Sequence, residues 1–258
     1  MKWIIILSMF VSCNALKTLT DGDTKIPENF ALGQNSSSLD EQLLAFFKFN
    51  NVAPVIFDRT NTYNLNNISN TAPTLVSGIR GTAANCGAGA SSAGGMYQNS
   101  IPTLTFSASE NYSFSFHIST SVYTSAMGGT IFELTGGVNA NPAILIGDFD
   151  SNADQNDFRF QIGANQYNWN NSIPLSGLNH FAVNVFNGGT SVELFLNGIS
   201  LGTQANSPMI ADADEFLICS DNAGGFTLNG IIDSFGMWRR ILNFDEIQML
   251  KTGNTHLD

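Results

Sequence analysis

Charge is scarce in this sequence: 12% of its 258 residues are charged, and ten Lys and Arg stand against 21 Asp and Glu, a formal charge of −11. The few basic residues are scattered, so the chain has no electrostatic footprint for a phosphate backbone, and nucleic acid is excluded as an expected partner. Cysteine is scarcer still. Cys13, Cys86 and Cys219 are too few for a disulfide framework and lack the paired spacing of a zinc site. The apolar run from Trp3 to Val11 is too short to cross a bilayer as a helix. From Leu39 to about Trp238 the 3.6-residue period of helices is nearly absent, which argues against a helical bundle.

What the chain has instead is glycine, phenylalanine and amides. With 24 Gly and 20 Phe among abundant Asn, Ser and Thr, and an apolar fraction of 43%, it can bury a large core built from short strands and tight turns. Apolar segments of four to eight residues alternate with Gly/Asn/Asp/Pro clusters, the spacing of an all-β sandwich or barrel. Strands are expected over Leu43 to Phe49, Thr103 to Phe106, Tyr112 to Val122, Thr130 to Thr135, Ala143 to Asp148 and Asp157 to Ile162. Further ones are expected over His180 to Phe186, Ser191 to Leu196, Glu215 to Cys219 and Gly230 to Trp238. In Tyr112-Ser-Phe-Ser-Phe-His-Ile-Ser119 every second residue is apolar, which puts Tyr112, Phe114, Phe116 and Ile118 on one buried face. One helix is expected, Phe244 to Leu250, with Asp245 and Glu246 in its first turn and Gly253 just beyond it as a C-cap.

The N-terminus has its own logic. Met1 to Ala15 combines Lys2, the short apolar run and small or polar residues, the layout of an export signal. Two processing chemistries fit it: cleavage after Ala15, or lipidation of Cys13 in the lipobox-like Phe10-Val11-Ser12-Cys13. A third reading keeps the segment as an N-terminal anchor strand, for example in a virion protein. Residues 16–38 read as a linker or arm, and 39–258 as the compact domain. If Cys13 is removed or lipidated, Cys86 and Cys219 remain as an even pair that an oxidising compartment allows to form one bridge. Lipidation of Cys13 would also be the chain's means of membrane attachment.

The segment Leu228-Asn-Gly-Ile-Ile-Asp-Ser-Phe-Gly-Met-Trp-Arg-Arg-Ile-Leu-Asn-Phe-Asp-Glu-Ile247 resembles the closing motif of laminin-G-like and pentraxin-like domains. Leu43 to Phe49 resembles the opening strand of such domains, Asp58 to Leu65 the polar turn after it. Asn179-His-Phe-Ala-Val-Asn-Val-Phe186 with Ser191-Val-Glu-Leu-Phe-Leu-Asn-Gly198 resembles the central hairpin. The usual Trp-His-His-Val of that hairpin is reduced here to Asn179-His180-Phe181-Ala182. The resemblance covers roughly residues 40–252 and implies a concanavalin A-like fold, a two-sheet antiparallel jelly-roll sandwich with one short C-terminal helix. Domains of this fold include lectins, adhesion modules, glycan hydrolases and lyases, and virion decoration domains, so activity has to be argued from sites.

Retaining hydrolysis needs two carboxylates about 5 Å apart, and no Glu-x-Asp-x-Glu pattern occurs. Asp148 and Asp150 alternate but run into a polar turn. His117, His180 and His256 lie in no nucleophile context. The oxygen-rich run Asp148 to Asp157 could attract a hard cation, but an EF-hand would require Gly at Gln155 and Glu at Gln161, so the run also reads as a solvated hairpin turn. The pentraxin resemblance implies a second Ca²⁺ set: Asp221 and Asn222 before the closing strand, with Asn139 and Asn141 in an earlier hairpin. In Tyr167-Asn168-Trp169-Asn170 two aromatics share one face of a strand and amides the other, as a sugar-binding surface would arrange them, or as a core would. Asn35, Asn67, Asn111 and Asn170 begin Asn-x-Ser sequons, which chance explains in so amide-rich a chain. The expected function is a non-catalytic glycan-binding module, secreted or displayed at a cell surface, with a glycan or surface protein as partner. A structural, oligomeric virion-surface subunit and a polysaccharide-degrading enzyme are the alternatives.

Overall fold

The chain divides into two units, Met1–Ser37 and Ser38–Asp258. The computed structural model describes residues 39–51, 55–67, 73–86, 96–98, 101–120, 129–136, 142–148, 157–170, 172–174, 176–221, 228, 230–255 and 257. The signal or anchor over Met1 to Ala15, the lipidation candidate Cys13, the arm over 16–38, Asn139, Asn141 and Asn222 lie outside them.

Eighteen strands and one helix are described in the second unit: β1 (Leu43–Phe47), β2 (Val55–Ile56), β3 (Leu65–Asn67), β4 (Thr74–Ser77), β5 (Thr82–Asn85), β6 (Met96–Gln98), β7 (Leu104–Phe106), β8 (Tyr112–Thr120), β9 (Thr130–Thr135), β10 (Ile144–Asp148), β11 (Phe158–Ile162), β12 (Asn165–Trp169), β13 (Asn179–Phe186), β14 (Ser191–Leu196), β15 (Ile199–Ala205), β16 (Ala211–Ala213), β17 (Glu215–Ile218), β18 (Gly230–Trp238) and α1 (Phe244–Lys251). One sheet runs β15-β14-β13-β8-β18-β5-β4, with β1 also on β18. The other runs β12-β11-β10-β9-β17-β6-β3-β2, and β16 with β7 forms a short third. Among the described residues every strand pairing is antiparallel, as the sandwich reading requires.

The alternation in β8 faces inward as expected: Tyr112, Phe114, Phe116 and Ile118 are buried. Their rings meet the other sheet, with Phe114 at 5.8 Å from Phe132 and 5.9 Å from Phe160, and Phe116 stacked on Phe158 at 6.3 Å. Such contacts are what hold two sheets about 10 Å apart. Cys86 and Cys219 are joined by a disulfide with Cα atoms 5.9 Å apart, tying the end of β5 in one sheet to the end of β17 in the other. Closing a loop across a separation of 133 residues lowers the entropy of the unfolded chain by an amount worth about 5 kcal/mol.

β18 changes neighbours along one edge. Ile231 and Ile232 pair with β5, whereas Phe235 to Trp238 pair with β1. The switch falls on an irregularity between Asp233 and Gly236, where Ser234 has a φ of 51°. Asp233, fully buried, accepts a hydrogen bond from Ile79 N at 2.8 Å and so holds the β4–β5 turn. A Cβ on Gly78 would lie 2.4 Å from Asp233 Oδ2, so this turn has no room for a side chain.

The outer face of the first sheet is covered too. Leu39, Phe46, Ala182, Phe195, Trp238, Leu242, Ile247, Leu250 and Leu257 form a second apolar layer in which α1 takes part. α1 starts where expected, with a capping box between Asn243 and Glu246, and Gly253, at φ 64°, follows its last turn. Arg240 forks onto Glu246 through two 2.8 Å contacts. Beneath α1, His117 and His180 oppose each other on β8 and β13.

Candidate functional site

The aromatic pair singled out on β12 belongs to the core. β12 alternates in and out, and Tyr167 and Trp169 take the inward positions with 1% and 7% exposure. Tyr167 packs on Phe160 and donates its hydroxyl hydrogen to the Gly189 carbonyl, and burial pushes its phenol pKa up. Trp169 meets Phe158 edge-on at 6.1 Å. Neither ring offers a face to solvent, so the sugar platform expected at Tyr167 and Trp169 is corrected: the pattern shared by a platform and a core here marks a core.

The amides of this segment are engaged as well. Asn168 Oδ1 accepts from Arg159 Nε at 2.8 Å, and Asn168 N donates to Gln204 Oε1 at 3.1 Å. Gln204 Nε2 donates in return to the Asn168 carbonyl. The Gln204 side chain thereby pairs with the backbone of β12 as a neighbouring strand would, bridging β12 to β15. Asn170 is exposed in the turn that follows β12.

Of the four residues of the implied Ca²⁺ set, only Asp221 is described. It is 9% exposed, and its carbonyl accepts from Ser220 Oγ at 3.0 Å. Among the described residues no group of three or more His, Cys, Asp or Glu could hold a metal ion, and Asn139, Asn141 and Asn222 lie outside them.

A different place has the geometry of a binding site. Beyond β1 the chain continues through Lys48, Phe49, Asn50 and Asn51, and these line a groove with Phe46, Ile56, Phe57, Asp58, Arg59 and Leu257, with a cavity volume of about 370 Å³. Phe49 is left-handed at φ 54°, a conformation that costs a bulky residue about 1–3 kcal/mol and collects at functional sites. Its surroundings hold it there. The ring is buried and stacks on Phe47 at 6.2 Å, Thr82 Oγ1 donates to the Phe49 carbonyl at 3.3 Å, and Thr82 N donates to Asn50 Oδ1 at 3.2 Å. The turn carries Asn50 and Asn51 to the exposed rim.

Asp58 builds the opposite wall. It is 3% exposed, and its carboxylate accepts from Phe46 N at 2.7 Å, Thr62 N at 3.2 Å, Tyr63 N at 3.3 Å and the Thr60 hydroxyl. Arg59 N donates to the Phe46 carbonyl at 2.9 Å, so both backbone polar groups of Phe46 on β1 are bonded to this segment. With Ile56 and Asp58 drawn inward, the extended backbone turns Phe57 outward, and 64% of it is exposed. A large apolar ring in that position, beside two amides, Lys48 and Arg59, can stack on an apolar ligand face while the rim hydrogen-bonds its polar edge. Arg59 Nη2 lies 3.0 Å from Asp40 Oδ1 at the exposed end of this wall. In the sequence Asp58 to Leu65 resembles a polar turn, and the groove is not legible there. The available signal was Asp58 with hydroxyls at Thr60 and Thr62, the pattern of a carboxylate that gathers its own loop.

No curated protein matches the chain. Among solved structures it is similar to the binding domain of Paraclostridial Mosquitocidal Protein 1, at 15% identity and a TM-score of 0.60, covering 83% of this chain and 52% of that one. The ligand-binding domain of botulinum neurotoxin serotype D, in complex with N-acetylneuraminic acid, aligns at 14% identity and TM-score 0.59, over 84% and 52% of the two chains. This chain thus spans about half the length of those two. Domain 4 of an extracellular arabinanase from Geobacillus stearothermophilus, in complex with arabinotriose, aligns at 19% identity and TM-score 0.57, over 81% and 98%. These likenesses concern the fold. A laminin-G family model, described as the concanavalin A-like lectin/glucanases superfamily, matches residues 93–248, and the chain belongs to that superfamily.

Proposed function

We propose that the chain is a non-catalytic carbohydrate-recognition module and that the groove between Lys48–Asn51 and Ile56–Arg59 is its sugar site. The observation that carries this reading is the exposed Phe57 ring, fixed at the mouth of the groove by the inward pull of Asp58 and flanked by Asn50 and Asn51. A ring that stacks on the apolar face of a pyranose, with amides reaching its hydroxyls, requires no chemistry from the protein. The one carboxylate in the groove lining, Asp58, is committed to four donors of its own chain, whereas hydrolysis would need a pair of available acids. Support also comes from similarly folded domains whose structures were determined with sugars bound, N-acetylneuraminic acid in one and arabinotriose in another. The buried Cys86–Cys219 disulfide supports display outside the cytosol, secreted or at a surface.

The test is a glycan array followed by calorimetry on the best ligand, with Phe57→Ala as the variant. Loss of a stacking ring worth about 1–1.5 kcal/mol corresponds to a roughly fivefold to tenfold weaker affinity. Because Phe57 is already mostly in water, the fold survives its removal. Undiminished binding by Phe57→Ala would remove the groove from consideration.

A further inference from the structure

We infer that the groove selects acidic saccharides, sugars bearing a carboxylate or a sulfate; this rests on the groove being the sugar site. The sign of its lining runs against the rest of the molecule. The chain carries 21 acidic and ten basic residues, yet apart from the buried Asp58 the charged side chains that line the groove are the half-buried Lys48 and the exposed Arg59. Its lining carboxylate, Asp58, is turned away from any ligand: it is buried, and its two oxygens are taken by Phe46 N, Thr62 N, Tyr63 N and the Thr60 hydroxyl. A ligand anion therefore meets two cations, and among the described residues of the lining no exposed acid repels it.

Arg59 already has a partner in Asp40, and that pair is exposed, with side chains 34% and 45% accessible. Such a pair contributes little on its own, and a guanidinium has five N–H donors, so Asp40 leaves directions from which a second carboxylate or a sulfate can be held. Lys48, half-buried, lines the groove as well, and its ammonium is a point charge on a flexible four-carbon stem that can turn toward a ligand. The ring and the cations divide the work. Phe57 reads the apolar face common to neutral and acidic sugars, while Lys48 and Arg59 read the charged substituent.

The test uses the full chain on an array holding sialylated, uronate-containing and sulfated glycans with their neutral counterparts. Calorimetry follows on the best acidic oligosaccharide and the same molecule after carboxyl reduction or desulfation. The acidic form is expected to bind about fivefold to tenfold tighter, the worth of one charge-assisted contact at a partly wet site. Lys48→Gln should level the two forms, Lys48→Arg should keep the preference, and Phe57→Ala should weaken both by a similar factor. Thermal melting checks that each variant is folded. Preference erased by carboxyl reduction identifies the carboxylate as the group read; preference erased by desulfation identifies the sulfate. If acidic and neutral forms bind equally and Phe57→Ala still weakens both, the groove stands as a sugar site and this inference falls. It also falls if Lys48→Gln leaves the preference intact. If no glycan, neutral or acidic, is retained, both this inference and the sugar site fall.

Discussion

Replacing Asp58 by alanine tests whether its carboxylate holds the groove together or waits for a ligand. In the folded protein it accepts three backbone N–H groups and one hydroxyl. Two of those amides, on Phe46 and Tyr63, are buried and would be left without an acceptor, at about 1–3 kcal/mol each. Thr62 N and the Thr60 hydroxyl are part-buried and can turn to water at small cost. The sum is about 2–6 kcal/mol, a large part of the stability of an ordinary domain. Asp58→Asn should cost less, about 1–3 kcal/mol, because an amide oxygen can still serve Phe46 N while its NH2 meets donors on the other side. Urea unfolding followed by tryptophan fluorescence gives both values, and amide exchange at Phe46 and Tyr63 locates the loss. A destabilisation by Asp58→Ala below about 1 kcal/mol would refute the account, since an anchoring carboxylate cannot be removed that cheaply. It would return Asp58 to the pool of groups available to a ligand.

Two further outcomes follow from residues placed elsewhere. His117 and His180 face each other at a ring distance of 4.8 Å, both buried, each with Nδ1 unpaired among the described residues. His117 Nε2 is bonded to the Lys251 carbonyl, His180 Nε2 to Ser115 Oγ, and Asp233 stands opposite His117 on β18. Burial holds both imidazoles below their usual pKa, His180 well below it. They therefore stay neutral when folded and take up protons on unfolding, so the stability they permit is complete above about pH 6.5 and is lost as pH falls below it, by up to about 2.7 kcal/mol per pH unit for two protons. Urea unfolding between pH 7.5 and 5.5 should show that slope, and His180→Gln should flatten it; an unchanged slope would disprove the assignment. Tyr167→Phe removes the hydroxyl that serves the Gly189 carbonyl and should cost about 1 kcal/mol in the same measurement, while leaving glycan retention as it was. A loss of retention without loss of stability would restore β12 as a ligand surface.

The residues that could be read ahead of the structure are those whose pattern has a single physical meaning. The alternation of Tyr112, Phe114, Phe116 and Ile118 admits only one buried face, and Asp245 and Glu246 with Gly253 beyond them mark the two ends of a helix. Strands of two to four residues, such as Val55–Ile56 and Thr82–Asn85, are too short to show a period, and β15 is exposed along nearly its whole length, so its composition records no inside. Tyr167 and Trp169 could be seen to share a face, but nothing local says whether that face meets water or another sheet; the rings of Phe158 and Phe160 decide it. Phe57 was invisible for the opposite reason. Its outward turn is imposed by Asp58 bonding to Phe46, twelve residues away.

The clasp between Gln204 and Asn168 bears on how molecules of this protein could associate. An unpaired strand edge is a template for another chain. At this side of the sandwich, β15 of one sheet and β12 of the other are the outermost strands, and a single glutamine occupies the backbone positions that an incoming strand would need on β12. Growth by strand addition is blocked there by a side chain. At the far side the terminal strands of the two sheets, among the described residues, are β4 and β2, and Leu75 on β4 is 44% exposed. Removing the clasp would free the backbone positions of Asn168 on β12 for an incoming strand.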